Sequence, residues 1–136
     1  VDLETAGLGV RDFVFALEEI MIQTALDFGV QAGRNVLNHG VWVGEAKLGS
    51  VGIAVKRGVS YHGLALNLDT DLTPFTFIHP CGLSHVSMTS LKQELKKSAD
   101  HLGKPSMEAA KQSLMRHFSS ILDYDLRLDV KEHHAN

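Results

Sequence analysis

The only cysteine of the chain, Cys81, lies in a loop-like sequence that could present a nucleophile. It is flanked by Pro80 and Gly82, whereas a structural cysteine usually lies within an apolar strand or helix. A glycine after the cysteine allows backbone N–H groups to approach a substrate oxygen, as in an oxyanion hole. We interpret Cys81 as a candidate nucleophile, and a buried structural cysteine is the alternative.

A cysteine nucleophile needs a basic or cationic neighbour that lowers its pKa. By residue type the candidates are Lys47, His62, His79 and His85. Lys47 precedes an apolar run, and its alternative interpretation is a solvated surface lysine, because lysine is rarely buried unless it is paired. For His62, the alternative is a hydrogen-bonded histidine in the core or at a sheet edge.

Other chemistries find little support in the sequence. His79, Cys81 and His85 could bind zinc, but a structural zinc site needs four ligands and no second pair is evident. Gly7-Leu8-Gly9 has no preceding strand and no third glycine in register, so it is not a dinucleotide fingerprint, and no Walker loop occurs. We therefore expect no metal, no cofactor and no ATP site.

Composition predicts one globular domain over residues 1–136. The chain is 44% hydrophobic and 21% charged, with a net charge of −3, which argues against disorder and against nucleic-acid binding. No apolar run approaches the roughly 18 residues of a membrane span. A single cysteine fits a reducing compartment, and no signal peptide is visible, so we expect a cytoplasmic protein without membrane or nucleic-acid partners.

Hydrophobic periodicity predicts the elements that must position these residues. Residues 10–28 follow a helical period that ends at Gly29. Short β-branched runs punctuated by glycine follow up to residue 68 and indicate strands, with a hairpin turn at residues 56–58. An irregular loop with one helical turn near residues 73–78 is expected over residues 69–90. Ser90 and Ser106 are predicted helix caps, for one helix ending near Leu102 and one whose apolar face runs from Met107 to Leu122. The tail from about residue 131 is expected to fray.

This order of helix, strands, loop and helices predicts an α+β domain with helices packed on a mostly antiparallel sheet. Four sequence blocks then refine the prediction. They are GVWV at 40–43, AKLGSVGI at 46–53, VSYHGLALN at 59–67 and PCGL at 80–83, followed by TSL at 89–91. In this order and spacing, with the lysine 34 positions before the cysteine, they resemble the lipoyl(octanoyl) transferase family, also called lipoate-protein ligase B. The opening helix is similar as well.

The resemblance implies a biotin/lipoate protein ligase-like fold and an acyl transfer that needs no cofactor. It implies that an octanoyl group passes from acyl carrier protein to a lysine of a lipoyl domain, in 2-oxoacid dehydrogenases or the glycine cleavage H protein. Cys81 would form the acyl thioester, and Lys47 would be its acid/base partner. The acyl-binding segments would be Ser50-Val51-Gly52 and Gly63-Leu64-Ala65, with His62 beside them.

The chain departs from the family pattern at its start. The family's upstream Arg-Gly-Gly and His-Gly-Pro-Gly-Gln segments are absent, so we expect an N-terminally truncated version of the fold whose exposed sheet edge associates. Three alternatives stay open. They are a catalytically inactive binding module of the same fold, an ATP-using lipoate or biotin ligase, and a zinc-binding module.

Overall fold

The longest helix forms where apolar residues recur every three or four positions. In the computed structural model, which describes residues 1–36, 38–72, 86–98 and 105–124, helix α2 spans Val10–Asp27. Phe28 caps it, and Gly29 follows with a φ of 82°, the left-handed conformation that glycine adopts without strain. The helix and its C-terminal glycine are therefore confirmed. A one-turn helix α1 (Leu3–Ala6), capped by Asp2, precedes it and was not predicted.

The glycine-punctuated runs form a sheet in which one long strand pairs with all the others. The strands are β1 (Val41–Val43), β2 (Ala46–Lys56), β3 (Val59–Leu66) and β4 (Ser87–Met88). β1 and β3 are antiparallel to β2 on its two sides, whereas β4 runs parallel to β2. The expected α+β class with a mostly antiparallel sheet is confirmed.

The hairpin between β2 and β3 has a two-residue turn. Lys56 pairs with Val59, and the intervening Arg57 and Gly58 have φ values of 53° and 78°. Two successive left-handed residues match the twist of the flanking strands. The predicted turn is confirmed, and the glycine-containing sequence after it forms one continuous strand, β3.

Two serine-capped helices complete the described fold. α3 (Leu91–Lys97) begins at Ser90, whose Oγ accepts from Gln93 N, and α4 (Met107–Leu122) begins at Ser106, whose Oγ accepts from Ala109 N. Both predicted caps are confirmed. The predicted end of α3 near Leu102 was wrong, because Ser98 is already extended, with φ −80° and ψ 136°.

The helices pack on one another and on the sheet. α2 contacts β1, β2, β3 and α4, and its buried face contributes Met21 to one apolar cluster and Leu17 to another. On α4, Ala110 and Leu122 are buried as expected, but Met107 and Ile121, at the two ends of the predicted apolar face, are exposed. Met107 is the first residue of α4, at the end of the helix. Ile121 is turned by about 100° from the buried Leu122, as successive residues of an α-helix are.

The predicted irregular loop over residues 69–90 is only partly described. β4 lies within it, so the expectation of an entirely irregular segment was wrong. The predicted helical turn at 73–78, the residues around Cys81 and the tail from 131 lie outside the described residues. Within the described ranges, no helix combines the length and apolar character needed to cross a lipid bilayer.

A charged cluster attaches α4 to the C-terminal end of α2. Asp27 Oδ2 accepts hydrogen bonds from Ser113 Oγ at 2.6 Å and Arg116 NH2 at 2.6 Å, and lies 2.7 Å from His117 Nε2. The Ser113 hydrogen bond, and after it those of His117 and Arg116, hold the pKa of the Asp27 carboxyl below its usual value. The carboxylate thus stabilises the packing of α4 while it is ionised.

We predict that Asp27→Asn lowers the free energy of unfolding at pH 7 by about 1 kcal/mol. Because the Asp27 carboxyl has a lower pKa in the folded than in the unfolded chain, its ionised form stabilises the folded state at pH values above the unfolded pKa of about 3.9. This stabilisation is lost as the pH falls through the folded-state pKa and the carboxylate is protonated. The difference from wild type should therefore shrink below about pH 4. Urea unfolding across pH measures it, with the exposed Glu45→Gln as control. A difference that persists unchanged at low pH would contradict the assignment.

Candidate active site

Lys47 is buried within the sheet. Only 6% of the residue is exposed. It lies on β2 between Trp42 of β1 and Met88 of β4, with which it is paired in register, and its carbonyl accepts from Thr89 N at 2.9 Å. Its Nζ lies 5.8 Å from the centre of the Trp42 ring, within cation–π range. The alternative of a solvated surface lysine is therefore wrong.

A hydrogen-bonded clamp holds β4 beside Lys47. Asn67 Nδ2, just after β3, donates to Thr89 O at 3.1 Å, and Asn67 O accepts from Leu91 N at 2.9 Å. The fully buried Thr89 donates through Oγ1 to Glu94 Oε1 at 2.5 Å. The clamp explains two blocks of the sequence resemblance, since it joins the end of VSYHGLALN to TSL.

Cys81 itself lies outside the described residues, as do His79 and His85. Its neighbours in the chain are informative. Ser87, six residues after Cys81, pairs with Ala46, which directly precedes Lys47. The clamp also brings Asn67 and Leu68, on the N-terminal side of the Cys81 segment, into hydrogen bonds with Leu91 and Lys92, on its C-terminal side. After the Cys81 segment, the chain therefore re-enters the described fold at β4, next to Lys47.

The two predicted acyl-binding segments lie directly opposite one another. Ser50 pairs with Ala65, and Gly52 pairs with Gly63. Directly opposed residues share a face of the sheet, and these four alternate with residues that pack on the helices. Among the described residues, a Cβ added at Gly52 or Gly63 would meet no atom within 4 Å. This ladder of small residues forms an open strip, which we call the small-residue strip.

Val51 and Leu64, the middle residues of the two segments, point to the opposite face. They are opposed in register and pack against the apolar clusters beneath α2. The structure thus brings together the backbones of all six predicted residues, but only four of them lie on the open face of the sheet, namely Ser50, Gly52, Gly63 and Ala65. Any acyl contact from Val51 on that side is made by its backbone.

His62 lies apart from Lys47. It pairs with Ile53, six residues along β2 from Lys47, or roughly 20 Å at the rise of an extended strand. It is exposed and has a φ of 66°, unusual for a non-glycine residue. It lines a cavity of about 360 Å3 between α2, α4 and β3, whose wall also includes Phe13, Leu64 and Phe118. His62 is thus an edge histidine on the helix side of the sheet.

A buried carboxylate near Lys47 was missed by the analysis of the sequence. Glu18, on α2, is only 6% exposed. Its Oε2 accepts from Arg34 Nε at 3.1 Å and its Oε1 from Gly40 N at 3.1 Å. Adjacent Glu19 also binds Arg34, and its hydrogen bond from Gln23, followed by Arg34, lowers its pKa. Glu18 lies in the opening helix and Gly40 begins the GVWV block, which are both similar to the family in sequence. Only the fold brings the two residues into contact.

Among the described residues, no group of three or more histidine, cysteine, aspartate or glutamate side chains could hold a metal ion. His79, Cys81 and His85 are not part of that set. The zinc alternative, which depends on those three residues, stays a prediction.

Comparison with known proteins defines the class to which this sheet and lysine belong. Residues 1–119 match the model of the lipoyl protein ligase A/B catalytic domain. The fold of this chain is similar to that of a solved lipoate-protein ligase A bound with ATP, with a TM-score of 0.69 and 18% sequence identity. The match covers 90% of this chain and 50% of the ligase chain. The chain therefore belongs to the lipoyl protein ligase A/B family.

The curated proteins whose sequences are similar to this chain include octanoyltransferases. One, from Desulfotalea psychrophila, is 55% identical over 94 residues, which cover 68% of this chain and 42% of the relative. Another, from Alkaliphilus metalliredigens, is 38% identical over 127 residues, covering 93% and 56%. The family resemblance read from the sequence is confirmed, and the chain spans about half the length of these relatives.

We predict that Thr89→Val destabilises the fold by about 1–2 kcal/mol, because it leaves the Glu94 carboxylate without its buried hydroxyl donor. Chemical denaturation of the chain measures the loss. The exposed Thr70→Val is the matched control and should remain within about 0.5 kcal/mol of wild type. Equal stabilities for both variants would show that the Thr89 hydroxyl contributes nothing to the stability of the clamp.

Proposed function

We propose that this chain carries the catalytic lysine and cysteine of an octanoyltransferase that acts in protein lipoylation. The acyl donor in this proposal is octanoyl-acyl carrier protein, and the acceptor is a lysine of a lipoyl domain. The observation that carries the proposal is the burial of Lys47 on β2, one residue from the point where the chain following Cys81 joins the sheet. Similarity to octanoyltransferases supports the same reaction.

The burial of a lysine suits acid/base work. A buried ammonium costs free energy, so Lys47 is a poor choice for stability alone. Beside the Cys81 thiol, an ammonium at this position would stabilise the thiolate form. As a neutral amine, the same group could accept the proton that the acceptor lysine must lose.

The reaction has two balanced halves. In the first, the Cys81 thiolate attacks the octanoyl carbonyl carbon and a new C–S bond forms. The C–S bond to the carrier protein breaks, and its sulfur leaves as a thiol with the proton of the Lys47 ammonium, which becomes a neutral amine. In the second, the acceptor amine attacks the Cys81 thioester, the amide bond forms, and the Cys81 thiolate leaves while Lys47 receives the amine proton. Thioester exchange is nearly neutral in free energy, and amide formation drives the second half.

The small-residue strip is the proposed binding site for the octanoyl chain. Its residues present backbone and little side chain, which leaves an extended hydrocarbon room on the open face. It starts three residues after Lys47 on the same strand, roughly 10 Å away at the rise of an extended strand. Each buried methylene contributes about 0.8 kcal/mol, so an eight-carbon chain can supply several kcal/mol of binding.

We predict that incubation with octanoyl-acyl carrier protein adds one octanoyl group to Cys81, detected by intact-protein mass spectrometry and peptide mapping. Hydroxylamine should release it, and Cys81→Ser should not acquire it, because Cys81 is the only thiol. Lys47→Ala should slow acylation about 100-fold or more. Lys56→Ala, which changes an exposed lysine of the same strand, is the control. A folded wild-type chain without an adduct would favour the inactive binding module instead.

We predict that Gly52→Val weakens use of the octanoyl donor while leaving the fold intact. The valine side chain would project into the small-residue strip, and a β-branched residue suits a strand. Ala54→Val, two residues along the same face of β2, is the matched control and should retain donor use. KM for octanoyl-acyl carrier protein measures the effect. An equal effect of both variants, or of neither, would locate the acyl chain elsewhere.

A further inference from the structure

Gly40 lies against the Lys47 side chain in a conformation that only glycine adopts easily. Its φ is 107°. A Cβ at this position would lie 2.6 Å from the Gly49 carbonyl oxygen and 2.8 Å from Lys47 Cε. The Gly49 oxygen belongs to the backbone of β2 and cannot move cheaply. The Gly40 backbone therefore forms one wall of a narrow space that the Lys47 methylenes occupy.

Glu18 holds that wall in place. Its Oε1 accepts from the Gly40 N–H, and its Oε2 accepts from Arg34 Nε, so one buried carboxylate uses both oxygens. Gly40 directly precedes β1, whose Trp42 ring lies beneath Lys47 Nζ. The carboxylate is attached to α2, the helix on which the sheet packs. Glu18 thus fixes Gly40 relative to α2, and Gly40 in turn contacts the Lys47 side chain.

We propose that Glu18 and Gly40 are positioning residues that confine the Lys47 side chain to one conformation, with Glu18 acting through Gly40. The proposal deepens the proposed function, on which it rests for the catalytic role of Lys47. A free lysine side chain loses conformational entropy when it is ordered. A residue that orders it beforehand removes that cost from the reaction.

Glu18→Gln tests the proposal with little change in shape. Glutamine offers one acceptor oxygen where glutamate offers two. The charged Arg34 guanidinium competes for it, so the Gly40 N–H faces an amide NH2 group. Glu19→Gln is the matched control. Glu19 is the adjacent carboxylate and accepts from the same Arg34 at 3.0 Å. Its other oxygen accepts from Gln23, whereas that of Glu18 accepts from Gly40.

Two measurements on the full chain follow Lys47 directly. The first is the NMR signal of the Lys47 Cε methylene, assigned by its loss in Lys47→Arg. Its two hydrogens should have distinct shifts in wild type and Glu19→Gln, because the side chain is confined, and should merge in Glu18→Gln. The second is the rate of octanoyl transfer from Cys81 to a lipoyl-domain lysine. It should fall about 10- to 100-fold in Glu18→Gln with KM unchanged, and remain near wild type in Glu19→Gln.

The outcomes separate this proposal from the proposed function. Merged methylene signals in wild type, or distinct signals in Glu18→Gln, would overturn the positioning role. Equal losses of rate in Glu18→Gln and Glu19→Gln would overturn it as well, because only stability would then be involved. If wild type accepts no octanoyl group, the proposed function fails while the NMR comparison still decides how Lys47 is held.

Gly40→Ala provides an independent test of the same wall. Its Cβ should displace Lys47 Cε, change the methylene shifts and slow transfer, and unaltered shifts in a folded Gly40→Ala variant would overturn the proposal. If neither Gly40→Ala nor Glu18→Gln folds, the wild-type spectrum alone remains decisive. Distinct methylene shifts support confinement of Lys47, and merged shifts contradict it.

Discussion

Every other strand of the described sheet is hydrogen-bonded to β2, so the packing of β2 on helix α2 determines where the candidate site lies. The contact is close at Gly49, where an added Cβ would lie 2.7 Å from Met21 Sδ. A side chain at this position would have to displace the buried Met21 side chain from the space between the helix and the sheet. Because strand residues alternate between faces, the side of β2 that packs on α2 also defines the opposite, open side on which the small-residue strip lies.

The same packing explains how the fold accommodates a buried amine. Lysine leaves water only at a considerable free-energy cost, and the chain surrounds Lys47 with a tryptophan ring, a glycine backbone and an adjoining short strand. The Glu18 carboxylate lies behind Gly40, and it accepts hydrogen bonds from Gly40 and Arg34. Under the proposed function, this layered arrangement lets charged groups support the position of a reactive one.

Much of the fold could be predicted because its signals are local. The period of α2, Gly29, the Arg57-Gly58 turn and the serine caps are each encoded within a few neighbouring residues. The errors occurred where tertiary contacts decide. β4 is two residues long, too short for any pattern, and exists because it pairs with β2. The exposed Met107 and the early end of α3 likewise depend on where the packing surface stops.

For the candidate site, the sequence by itself determined which residue types are present and, through four spaced blocks, the family to which they belong. It gave the order of Lys47 and the two predicted acyl-binding segments along the chain. Only the tertiary structure decided that Lys47 is buried, that Gly52 lies opposite Gly63, and that Glu18 reaches Gly40 across 22 positions of the chain. The reason is physical. Residue type and local period report on a few neighbours, whereas burial and register are set by contacts between segments far apart in the sequence.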